Sequence, residues 1–206
     1  MVALVVVSSA AAKAPPPTDG RPLPTIAGRS GASRIEPRFS QAASTIASNL
    51  VEVRCWSEPD WVQLNNEQLA FTGTGMIGVI GYVRASQPST IHLSPAVCTS
   101  LVRFAYLRAR PKNQTLAKED LAEAVVALAH EAQHVAGIKD EARAECYGLQ
   151  RIRPLARMLG ATKDYAAGLA VLAWRFLYPQ LFASYHSPEC RDGGALDVNP
   201  RAPVWP

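Results

Sequence analysis

A chain of 206 residues, 48% of them apolar, has enough material for one domain with an appendage and a core of its own. The formal net charge is +4, but Lys13, Arg21, Arg29, Arg34 and Arg38 against Asp19 and Glu36 supply most of that excess within one N-terminal stretch. No basic stripe interleaved with aromatic residues follows, so nucleic acid is excluded as the expected partner.

Residues 1–14 open with Met1-Val2-Ala3-Leu4-Val5-Val6-Val7 and run into Ser8-Ser9-Ala10-Ala11-Ala12. An apolar run followed by small residues reads as a signal-peptide-like segment, with Ala10, Ala12 or Ala14 near a cleavage point, although it has no basic start. About a dozen residues are too few for a bilayer, which needs roughly 20, so no stable membrane span is expected. Residues 15–38 contain Pro15-Pro16-Pro17, Pro22, Pro24, Gly20, Gly28 and Gly31. This composition buries too little apolar surface to offset the entropy of ordering, and it reads as a flexible linker. Cys55, Cys98, Cys146 and Cys190 are scattered, with no CxxC pair. In a chain with a signal-like start they predict two disulfides, with three pairings open, and a secreted or extracellular protein, held in solution or at the cell surface.

The folded domain is expected over residues 39–206. Phe39 to Leu50 reads as a short helix through Ile46 and Leu50, and the alternation from Val51 to Trp56 as a strand. Asn65-Asn66 reads as a turn, as does Gly73-Thr74-Gly75, which lacks the context of a phosphate loop. Met76 to Val83 and Thr90 to Leu93 are further strand candidates. Trp56 and Trp61 read as core or rim residues. Ser94 with Pro95 starts a helix expected to reach Arg108.

Thr115 is the expected N-cap of the next helix, with Leu121, Val125, Leu128, Ala132 and Val135 on its buried face and Gly137 as its stop. Another helix is expected from Asp140 to Arg153, where Pro154 breaks or kinks it, and a further one from Thr162 to Tyr178. The tail from Tyr185, including the Asp192-Gly193-Gly194 turn, reads as loop. Strands first and helices afterwards make the fold class α+β.

The helix after Thr115 contains His130-Glu131-Ala132-Gln133-His134, an HExxH motif. Histidines at i and i+4 share one helix face, so both imidazoles can reach one zinc ion. Glu131, beside them, can take a proton from a metal-activated water. A third protein ligand is needed, leaving the fourth position open. Downstream lie Gly137, Asp140, Glu141, Glu145 and Cys146.

Across these roughly 25 residues the chain resembles the zincin superfamily of metallopeptidases. Read as HExxHxxGxxD, Asp140 falls where the metzincin branch places its third ligand. Read as ExxAE, Glu141 and Glu145 resemble the helix of glutamate-ligand zincins, where the first acid binds zinc and the second steadies a ligand histidine. Asp140 is explained by N-capping the next helix, and the longer Glu141 can reach back across the Gly137 turn, so geometry puts Glu141 ahead. Asp140, Glu145 and Cys146 stay open. The resemblance implies a zincin-like fold, with a small sheet of N-terminal strands on a helical C-terminal half. It also implies a Zn2+ cofactor on His130, His134 and Glu141, Glu131 as general base, and a peptide or protein substrate. The alternative is a non-catalytic, secreted zinc-binding domain on the same scaffold.

Weaker candidates remain. Ile91-His92-Leu93 reads as an edge strand aligning a peptide or, more simply, as a core strand. Tyr185 and His186 read as oxyanion donors or as an ordinary loop pair. Met158 is the one candidate for the methionine turn that metzincins carry.

Overall fold

The computed structural model describes residues 33–72, 79–111 and 116–206. The signal-like segment, most of the expected linker, Gly73-Thr74-Gly75, the start of the strand expected from Met76 and the Thr115 cap lie outside the described residues. The last part of the expected linker forms a strand, β1 (Ser33–Ile35), paired antiparallel with β2 (Glu52–Trp56). The Glu36 N–H then donates to the Val53 carbonyl at 2.9 Å, and Glu36 is buried. Main-chain pairing, which hydropathy does not register, brings this polar stretch into the fold.

Helix α1 (Pro37–Ala47) ends earlier than the expected Leu50, because Ser48 takes a left-handed conformation with φ of 53°. Its inward face is Phe39, Ala42, Ala43 and Ala47, whereas Leu50 is 89% exposed. In β2 the alternation holds, with Val53 and Cys55 turned into the core. The turn expected at Asn65-Asn66 is instead the middle of α2 (Glu58–Thr72). Trp61 and Leu64, one turn apart, are buried in a small second cluster with Val79, which outweighs the turn preference of two asparagines.

β3 (Gly81–Arg84) and β4 (Gln87–Leu93) complete a mixed four-stranded sheet in the order β1-β2-β4-β3. β4 runs parallel to β2, with Val53 beside Ile91, and antiparallel to β3, with Gly81 beside Leu93. Ile91-His92-Leu93 therefore lies inside the sheet as a core strand, and β1 and β3 are the sheet's edges.

The Ser94 hydroxyl accepts from the Val97 N–H and caps α3 (Pro95–Ala105), which stops short of Arg108, where φ is +54°. Helix α4 (Leu116–Val135) is central, against α1, α3, β3, β4, α5 (Glu141–Met158) and α6 (Lys163–Leu172). Leu121, Val125, Leu128 and Ala132 are buried as expected, but so are Ala122, Ala124, Ala127 and Ala129. Small side chains on the remaining faces let other elements close around the helix. α5 does not break at Pro154 but continues to Met158, and the fully buried Leu155 and Ala156 offset a cost of about 3 kcal/mol for an interior proline.

Thr162 caps α6, which gives way at Ala173 to a π-helical turn and at Tyr178 to a 3₁₀ turn. The disulfides are Cys55–Cys98, joining β2 to α3, and Cys146–Cys190, joining α5 to the C-terminal segment. The Gln150 side chain holds that segment too, donating to the Leu196 carbonyl at 2.8 Å and accepting from the Val198 N–H at 2.8 Å. The six α-helices and one sheet among the described residues make an α+β architecture. No helix among them is long and apolar enough to cross a membrane.

Candidate metal centre

The site begins at the C-terminus of α4. Gly137, with φ of +94°, donates to the His134 carbonyl, and Ile138 donates to the Gln133 carbonyl, both at 3.0 Å. This is a Schellman termination, and its left-handed residue is one that glycine takes without cost. The chain then turns back, and Asp140 caps α5 by accepting from the Arg143 N–H at 2.9 Å. Glu141 thus stands at the first position of a helix folded against the one bearing His130 and His134. The sharp reversal explains how a gap of only seven residues brings Glu141 back to them.

Nε2 of His130 and Nε2 of His134 lie 2.9 Å apart, and Oε2 of Glu141 lies 3.2 Å from each. The other ring nitrogens are engaged elsewhere. Nδ1 of His134 lies 2.7 Å from the Ile138 carbonyl, which can only accept, so this nitrogen carries the proton. Nδ1 of His130 lies 2.8 Å from Oε2 of Glu145, which favours the same tautomer. In the neutral rings both Nε2 atoms then present bare lone pairs to each other and to a carboxylate oxygen. Three acceptors with no proton between them repel one another unless a cation sits among them.

The spacing fits such a cation. Zinc bonds of about 2.0–2.1 Å in tetrahedral geometry place neighbouring donors roughly 3.3 Å apart. Two imidazoles and a carboxylate are also a donor set that zinc accepts. The group His130–His134–Glu141 can thus hold a metal ion. Its electrostatics agree: burial opposes charge on His130, yet hydrogen bonds that the ring donates to Glu141 and Glu145 outweigh it and hold the imidazole up at about 10. Burial likewise opposes charge on Glu141, but hydrogen bonds from both histidines bring its carboxyl well below the usual range.

Glu145 and the Ile138 carbonyl fix the ring orientations, as outer partners of metal-ligating histidines do. Asp140 is occupied by capping, and Cys146 by its disulfide. Glu131 is 3% exposed, and its Oε2 has no hydrogen-bond partner among the described residues. Burial pushes its carboxyl up, against the pull of His130 and His134. Tyr185 is buried, with its ring 5.7 Å from that of His130, whereas Nε2 of His186 turns away to the Tyr178 carbonyl at 2.7 Å. Met158 ends α5, and the ring against His130 is that of Tyr185.

His92 forms a separate cluster: Trp56 Nε1–H donates to its Nδ1 at 3.2 Å, and Tyr82 stacks on it at 4.7 Å. Burial, helped by Arg84 and Arg54, lowers His92 to about 3.

Two glycines at the site are not among the candidate residues that the sequence singles out. A Cβ on Gly81 would meet Cγ of Glu131 at 3.2 Å, and one on Gly148 would meet the His130 backbone at 3.1 Å. The available signal was a glycine inside a strand and another inside a helix, each costly unless something comes close. No known protein family, curated protein or solved structure matches the chain in comparison.

Proposed function

We propose that this chain is a secreted zinc-dependent hydrolase acting on peptide bonds, with His130, His134 and Glu141 as metal ligands and Glu131 as general base. The observation that carries this reading is the convergence of Nε2 of His130, Nε2 of His134 and a Glu141 carboxylate oxygen beside a buried carboxylate, that of Glu131, whose Oε2 has no partner among the described residues. When bound, zinc supplies a Lewis acid that polarises a carbonyl and brings the pKa of water toward about 7.

The chain's own groups do the rest. Glu131 accepts the proton of the attacking water and delivers it to the departing amine, a role that contributes typically 10²- to 10⁴-fold. Its burial raises the carboxyl above the usual carboxylate range, which favours its holding the proton taken from water. Glu145 and the Ile138 carbonyl hold the imidazoles in their metal-facing orientation. Access is from the side of His134 and Glu141, whose side chains are 16% and 17% exposed against 3% for His130. A peptide substrate is supported by β3, a sheet edge whose Gly81 lies against Glu131, since such an edge offers main-chain groups to an extended chain. Two disulfides support an oxidising, extracellular setting.

The test pairs metal content with turnover on a peptide library. Purified protein should carry one zinc per chain and lose it in His134→Ala, while Glu131→Gln should keep the metal and lose turnover. Wild-type protein that binds zinc but cleaves nothing would be a metal-binding domain without catalysis; protein that binds none would end the metal-centre reading.

A further inference from the structure

Glu141, Glu145 and Gly148 lie at i, i+4 and i+7 of α5, on the face turned to α4. The first two reach the histidines with their side chains. At Gly148 the two helices meet backbone to backbone: a Cβ there would stand 3.1 Å from both Cα and N of His130 and 3.5 Å from C of Ala129. Gly148 is an ordinary helical residue by its backbone, with no left-handed φ. Glycine inside a helix weakens it relative to alanine, so local preference argues against its presence. Close approach to α4 is what it permits.

We infer that Gly148 is a positioning residue of the metal centre, setting the distance between α5 and α4 at which Glu141 and Glu145 reach His130. This rests on His130, His134 and Glu141 being the metal site. The atoms in the way are main-chain atoms of a ligand residue, not the end of a flexible side chain. They cannot withdraw, because α4 is held on its other sides by α1, α3, α6, β3 and β4. An alanine at 148 therefore moves α5, by a few tenths of an ångström. At 1.5 Å rise per residue, Glu145 lies about 4.5 Å and Glu141 about 10 Å along the helix from that point. Both carboxylates retreat with the helix, by an amount comparable to the roughly 0.2 Å within which metal–ligand distances are held.

The experiment compares wild type, Gly148→Ala and Ile152→Val as full chains. Ile152 is fully buried in α5, one turn further from the site, and its truncation removes a methyl group without adding an obstacle. Zinc affinity is read by competition with a chromophoric chelator, coordination by the visible spectrum of the cobalt(II)-loaded protein, and stability by the Tm of the metal-free form. Gly148→Ala should raise the zinc Kd at least tenfold and alter the cobalt bands. Ile152→Val should lower Tm while binding zinc as wild type does. Zinc binding by Gly148→Ala within twofold of wild type overturns the inference, and so does an equal loss of affinity in Ile152→Val. Should Gly148→Ala not fold, Gly148→Ala/Ile152→Val gives α5 room to settle; affinity within twofold of Ile152→Val alone then overturns it. Wild-type protein that binds no zinc overturns the underlying metal site instead, and this inference with it.

Discussion

Glu145 accepts a hydrogen bond from Nδ1 of His130 at 2.8 Å, and both side chains are almost fully buried. The carboxylate thereby aims Nε2 at the position shared with His134 and Glu141. Glu145→Ala leaves that ring free to rotate and should weaken zinc binding about 10- to 100-fold. Chelator competition measures it, and affinity within threefold of wild type would show that His130 needs no outer partner.

Gly81 on β3 stands against Glu131, where a Cβ would approach Cγ at 3.2 Å and Oε1 at 3.4 Å. Gly81→Ala should displace the proposed base without touching a metal ligand. The expected result is a kcat reduced about tenfold or more, with zinc content and KM near wild type. A loss of zinc in parallel with kcat would place the effect on the fold instead.

His92 is 3% exposed and lowered to about 3, against about 6.5 in the unfolded chain. A depressed histidine contributes stability in full above pH 6.5 and loses it as pH falls toward 3, because the unfolded chain takes up the proton first. The slope is up to about 1.4 kcal/mol per pH unit. Denaturant unfolding of wild type and His92→Gln should show the wild-type lead shrinking from pH 7 to pH 5. A difference that stays constant would mean that His92 titrates as it does in solution.

The two disulfides divide the labour. Cys146 follows Glu145 directly, and Cys190 closes the segment that brings Tyr185 to His130. Replacing this pair with serines should cost about 2–5 kcal/mol and also weaken zinc binding. Replacing Cys55 and Cys98 should cost a similar amount and leave zinc affinity unchanged, since that bridge joins β2 to α3. Equal zinc loss in both variants would show that the second bridge has no special link to the site.

Much of this was legible along the chain because it depends on neighbours in sequence. The i, i+4 histidines, the Ser94, Asp140 and Thr162 caps, the Gly137 stop and the alternation of β2 all follow from local backbone geometry. Local preference misled where distant side chains supplied more free energy than it did. Asn65-Asn66 stays helical under Trp61 and Leu64, and α5 passes through Pro154 because Leu155 and Ala156 are buried beyond it. β1 was hidden because main-chain pairing carries no hydropathy signal.

At the site, sequence alone determined the residue types and the helix that presents them. It left Asp140, Glu141, Glu145 and Cys146 as competing third ligands, because each has a suitable donor atom within reach of the turn. Only the tertiary structure gives each its own neighbour: Asp140 caps α5, Cys146 is bridged to Cys190, Glu145 lies on Nδ1 of His130, and Oε2 of Glu141 lies 3.2 Å from both Nε2 atoms. The physical reason is the contact between α5 and α4. Its distance depends on a glycine seven residues past Glu141 and on every element packed around the central helix, and no local pattern encodes that sum.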